Sequence, residues 1–173
     1  SDESKRLKDA MTEDCYFLLV DHGISEKIID DAYEQSRMFH NLDDSDSKKQ
    51  AAHYRHAYSG RGWSPCGEEP AYSANTKATC SAFDMCYEIK EIDEEFENFG
   101  PNLWPPKMPE FRDAVYKYYL EFSKVEKKLA NQIEETFNLD KNFISSKMTE
   151  KSPSTMRLIY YPAVEGTPED NLF

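Results

Sequence analysis

Eight apolar residues, Phe111, Val115, Tyr118, Phe122, Val125, Leu129, Ile133 and Phe137, step along the sequence by 4, 3, 4, 3, 4, 4 and 4. Only a helix brings residues at that spacing to one side. The pattern predicts an amphipathic helix of about 28 residues, with Pro109 near its first position, where a missing N–H is tolerated. A stripe of that length has to lie on something large. The rest of the chain must therefore supply a surface for it, and a second pattern shows where. Thr155 to Tyr161 reads as a strand closed by Pro162, so Arg157, Ile159 and Tyr161 share one of its faces.

The earlier part of the chain is more broken. Residues 3 to 13 read as the end of a helix, with Leu7, Ala10 and Met11 on one side. Cys15 to Val20 is a short, continuous apolar run bounded by Asp21, His22 and Gly23, which predicts a strand buried on both faces. Ser25 is placed to cap a helix over 26 to 40, carried by Ile28, Ile29, Ala32, Tyr33 and Phe39. Asp43 to Gln50 predicts a turn and a short exposed helix. Between Tyr54 and Glu88, Gly60, Gly62, Pro65, Gly67 and Pro70 interrupt any helical period, so extended segments joined by loops are expected. Phe83 to Ile89 is a candidate strand there, and 142 to 147 a further short helix. The acidic run Glu91 to Glu97 reads as a solvated face.

Composition removes several function classes. A net charge of -12 repels the phosphate backbone of nucleic acids and anionic membranes alike. The longest apolar run, Cys15 to Val20, is too short to span a bilayer. The N-terminus lacks the apolar stretch of a signal peptide, so a cytoplasmic protein is expected. The four cysteines, at 15, 66, 80 and 86, form no C-x-x-C pair and read as free thiols.

Six segments then match one family in order. Tyr16-Phe-Leu-Leu-Val-Asp-His-Gly-Ile24 resembles a "GFF-x-LV-N-HGI" segment, and Arg61-Gly-Trp-Ser-Pro65 an "RGY-x-P" segment. Gly100-Pro-Asn-Leu-Trp-Pro105 is similar to an "NxWP" loop. Phe111-Arg112 with Tyr118-Tyr119, Leu139 to Phe143, and Met156-Arg-Leu-Ile-Tyr-Tyr-Pro162 complete the series. The sequence departs from the pattern at Cys15, Asp21 and Trp63. Together these segments resemble the N-terminal half of the iron and 2-oxoglutarate-dependent dioxygenases, isopenicillin N synthase-like branch.

That resemblance implies a mixed α/β fold. Residues 1–150 would form an N-terminal helical region with short strands, and residues 151–173 the beginning of a double-stranded β-helix, or jelly roll. It implies Fe(II), held by a His-x-Asp pair and a distal His, with 2-oxoglutarate gripped by an Arg-x-Ser motif. Neither motif occurs in this sequence, so the ligands are expected beyond Phe173. Isopenicillin N synthase itself does not use 2-oxoglutarate, which leaves that requirement open. The implied reaction is oxidation of a small organic molecule by dioxygen: hydroxylation, desaturation or ring closure. The rival reading is a non-catalytic relative that serves as an interaction module.

The same resemblance nominates site residues. Tyr161, just before Pro162, would face the active site and touch cosubstrate or substrate. Arg157 shares its face and could pair with a substrate carboxylate, a structural ion pair being the alternative. Arg61 lies in the loop that covers the substrate in this family, with Tyr58 and Trp63 near it. His53 and His56 are spaced as a helical metal pair, but no third ligand stands nearby. His22 is placed to cap its own turn.

Overall fold

Pro109 opens the long helix as its position predicts. In the computed structural model, which describes residues 2–69, 78–93, 99–148 and 154–163, helix α4 runs from Pro109 to Thr136. Helix α1 (Asp2–Asp9) continues into a π-helical turn at Ala10–Asp14. Helix α2 spans Glu26–His40, capped by the Ser25 hydroxyl, which accepts from the Ile28 N–H. Helix α3 is the short Ser47–Ala51. The strands are β1 (Gly62–Ser64), β2 (Ser81–Met85) and β3 (Met156–Tyr160). They form one antiparallel sheet in the order β1-β2-β3. Residues 94–97 of the acidic run lie outside the described residues.

The core lies between this sheet and the first half of α4. Phe39 from α2, Trp63 from β1, Phe83 and Met85 from β2, and Phe111, Val115 and Tyr119 from α4 are all buried together. Phe83 meets Phe39 and Phe111 edge-on, with ring centroids 5.3 and 5.0 Å apart, the geometry that aromatic quadrupoles favour. The apolar stripe of α4 is wider than the surface that covers it. Tyr118, Leu129 and Ile133 are half-buried, and Phe122 stays exposed.

Two expectations are corrected. Phe83 to Ile89 is the candidate strand of the sequence, but β2 begins at Ser81 and stops at Met85. The side-chain amide of Asn102 takes over both backbone groups of Cys86, donating to its carbonyl at 2.7 Å and accepting from its N–H at 2.9 Å. A side chain thus replaces the next rung of the ladder. The second correction concerns Cys15 to Val20, which is neither paired nor buried. Leu18 is 88% exposed and Val20 75%. Cys15 and Asp21 take positive φ at either end of the run and turn the chain there. A strand needs a partner for its N–H and C=O groups, and among the described residues none lies beside this one.

Gly62 shows why β1 starts where it does. Its φ of +121° suits glycine alone, and a Cβ there would collide with the carbonyl oxygen of Ala52. That carbonyl accepts from the Trp63 N–H at 2.7 Å, which ties β1 to the end of α3. Behind Trp63 lies the ammonium of Lys49, fully buried. It sits 4.9 Å from the indole ring and donates to the carbonyls of His40 and Leu42 and to Asp44.

Candidate functional site

Strand β3 lies at an edge of the sheet and alternates cleanly. Met156, Leu158 and Tyr160 turn inward, while Arg157, Ile159 and Tyr161 form the outer row predicted from the sequence. Ile159 is 48% exposed and Tyr161 69%. On the inner side, Tyr160 stacks on His40 with ring centroids 5.4 Å apart. This packing holds the strand while leaving its outer face open.

Arg157 is fully engaged. Its Nε and Nη2 donate to the two carboxylate oxygens of Asp84, and Nη1 and Nη2 reach Glu69 at 2.8 and 3.2 Å. The Asp84 bonds, more than any other cause, hold the guanidinium's pKa even higher than usual. Asp84 and Arg157 are directly opposite in the ladder, so the pair spans β2 and β3. The sequence did not announce Asp84 and Glu69 as these partners. The one available signal was a charged residue inside the apolar stretch Ser81 to Met85.

Arg61 and Tyr161 do not meet. The ladder register puts Arg61 at the Met85–Met156 end of the sheet and Tyr161 beyond the Ser81–Tyr160 end. Arg61 is buried, its guanidinium 5.4 Å from the Phe99 ring, and its Nη1 makes no hydrogen bond. Trp63 is a core residue whose indole N–H donates to Ser81, and Tyr58 is exposed.

The remaining histidines have local roles. His22 accepts from the Ile24 N–H through Nδ1, the turn cap expected of it. His53 caps the following turn by accepting from the Arg55 N–H, and its Nε2 faces Glu68 at 3.4 Å. His56 stands edge-on to it. Among the described residues no three His, Cys, Asp or Glu side chains are grouped to hold a metal. These residues therefore do not fit an iron site by themselves.

The loop matching "NxWP" proves architectural. Besides the Asn102 clamp, Trp104 stacks on Phe83 at 5.7 Å and donates its N–H to Glu88 at 2.7 Å. Glu88 also accepts from Asn102.

With this geometry in hand, the comparisons are specific. Residues 1–107 match the family described as "non-haem dioxygenase in morphine synthesis N-terminal". The chain belongs to that family. Azadirone synthase of Melia azedarach is 29% identical over 142 residues, 79% of this chain and 42% of that protein. Homoarginine-6-hydroxylase of Arabidopsis thaliana is 28% identical over 180 residues, 97% of this chain and 51% of its own length. A 2OG-Fe(II) oxygenase family protein from Caulobacter crescentus shares the fold with a TM-score of 0.68 at 24% identity, over 85% of this chain and 47% of that one. A full-length Neurospora crassa protein, solved in complex with alpha-KG, gives a TM-score of 0.59 at 18% identity, over 82% of this chain and 43% of its own. The chain thus spans about half the length of the curated relatives it matches.

Proposed function

We propose that this chain is the N-terminal part of an Fe(II) and 2-oxoglutarate-dependent dioxygenase that oxidises a small organic molecule. When bound, iron and 2-oxoglutarate supply an oxidant made from dioxygen, leading to hydroxylation, desaturation or ring closure. Homoarginine-6-hydroxylase and azadirone synthase, to which the chain is similar, suggest the breadth of substrates that such a scaffold serves. The iron ligands come from outside the described residues. In this reading residues 1–150 are the N-terminal region, 151–173 begin a jelly roll, and the enzyme works in the cytoplasm without nucleic acid or membrane partners.

The observation that carries the proposal is the outer row of β3. Among the described residues it lies at the edge of the sheet, in register with β2, and the exposure of Tyr161 supports a further sheet packing there. Tyr161 touches cosubstrate or substrate and Arg157 lines the same face while holding Asp84 and Glu69, whereas Arg61, buried against Phe99 at the opposite end of the sheet, is not part of this row.

The test is to add Fe(II) to a protein carrying this chain in its full-length sequence and follow conversion of 2-oxoglutarate to succinate. Turnover that needs both iron and dioxygen is expected, with a raised KM for 2-oxoglutarate in Tyr161→Phe. A protein that neither binds iron nor turns over 2-oxoglutarate would instead be the interaction module.

A further inference from the structure

The β1–β2 ladder ends with Ser64 facing Ala82. Two residues further along each chain stand Cys66 and Cys80. The two chains have not separated there, because the Gly67 N–H donates to the Ala78 carbonyl at 2.8 Å. The Cys66 thiol lies 3.6 Å from the carbonyl oxygen of Thr79, the residue just before Cys80. Burial raises the Cys66 pKa, and the charges of Asp44 and Cys80 add to the rise. The Gly67–Ala78 bond is one residue out of step with the Ser64–Ala82 pair, so Cys66 lies beside the Thr79–Cys80 peptide, next to the residue a disulfide would bridge.

We infer that Cys66 and Cys80 form a modification site, a reversible disulfide across the neck of segment 67–79, made by exchange with a small disulfide oxidant such as oxidised glutathione. Cys66 is exposed and meets the oxidant first. Its thiolate attacks one glutathione sulfur and expels the other glutathione as a thiolate. The Cys80 thiolate then attacks the Cys66 sulfur and expels the second glutathione. Two protein thiols lose two protons and two electrons, and one oxidised glutathione becomes two reduced ones. Since the Cys66 pKa is raised above 9.0, the first step accelerates as the pH rises toward and past that value. The bond would sit three residues from Glu69, the second carboxylate on Arg157. The redox state of the neck thereby reaches the outer face of β3.

The test treats the folded protein with oxidised glutathione at mildly alkaline pH. Remaining thiols are alkylated, and the protein is digested with trypsin and chymotrypsin without reductant. Cleavage after Arg61, Lys77, Phe83 and Lys90 puts Cys66, Cys80 and Cys86 on separate peptides. Mass spectrometry should find the Cys66–Cys80 linked pair at least about tenfold above any other pairing. Cys66→Ser and Cys80→Ser should each stop at a glutathione adduct on the remaining cysteine, with the circular dichroism of the reduced protein unchanged. Wild-type protein carrying only glutathione adducts, or forming the linked pair only in denaturant, would overturn the inference.

Discussion

Arg157 grips Asp84 side-on across the sheet, Nε at 2.7 Å from one carboxylate oxygen and Nη2 at 2.6 Å from the other. The two are separated by 73 residues in sequence yet face each other on one rung of the ladder. The pair is a lock between the middle strand and the edge strand.

Breaking that lock should loosen β3. Arg157 is 40% exposed and Asp84 12%, so solvent screens part of the attraction. Arg157→Ala leaves a largely buried carboxylate without its partner and should cost about 1–3 kcal/mol in urea unfolding. Arg157→Lys recovers charge without the two-pronged geometry and should fall in between. A double-mutant cycle with Asp84→Asn measures the coupling. Additive losses would mean that the bidentate contact contributes nothing specific.

His40 makes the fold sensitive to acid. Burial foremost, then the Lys49 charge, lower its pKa from 6.5 to about 4, against opposing contributions from the Leu158 backbone and Asp44. The unfolded chain therefore binds more protons between those two values. The stabilisation is fully present above pH 6.5 and is lost as the pH falls toward 4. The loss is on the order of 3 kcal/mol. Urea midpoints taken across this window should show it, and His40→Asn should flatten the slope.

Lys49 couples to that titration. Lys49→Met empties the site that serves the His40 and Leu42 carbonyls and should destabilise the protein by roughly 2–4 kcal/mol. It also removes a positive charge that opposes protonation of His40. The His40 pKa, followed by NMR, should move upward in this variant, a change that lost packing alone would not produce.

The apolar run near the N-terminus gives the opposite expectation. With Leu18 so exposed, Leu18→Asp should change the stability of this chain by less than about 0.5 kcal/mol. Binding of a hydrophobic dye should fall, because Tyr16, Leu18 and Val20 together present an apolar surface to water. A loss of several kcal/mol would mean that the run is buried after all.

What could be read in advance depended on how local the cause was. Helices α2 and α4 were legible because a covered face writes its period into the sequence, with Phe39 and Phe111 at the contact. The outer row of Arg157, Ile159 and Tyr161 followed from strand alternation alone. The run Cys15 to Val20 misled because apolarity records a need for burial and not the presence of a partner. The end of β2 was invisible for a similar reason, since the amide that replaces its next rung belongs to Asn102, 16 residues away. The commitment of Arg157 to Asp84 and Glu69 required the ladder register, which no single-strand pattern contains.

Glu134 holds the turn that follows α4, and its loss should be felt there first. Its carboxylate accepts from three backbone N–H groups, those of Asn142, Ile144 and Ser145, at 2.7 to 2.8 Å. These bonds, the one from Ser145 foremost, lower its pKa below 4.5. A depressed carboxylate stabilises the fold above its ordinary value and stops doing so as the pH drops through the folded one. Glu134→Gln keeps the shape but turns an N–H toward donors that need an acceptor. Hydrogen exchange at those three amides should quicken by roughly tenfold or more, while the core of the sheet keeps its protection. Lowering the pH through that depressed pKa should produce the same local opening in the wild-type protein and leave the variant unchanged. An equal response in both would assign the turn to its own backbone geometry.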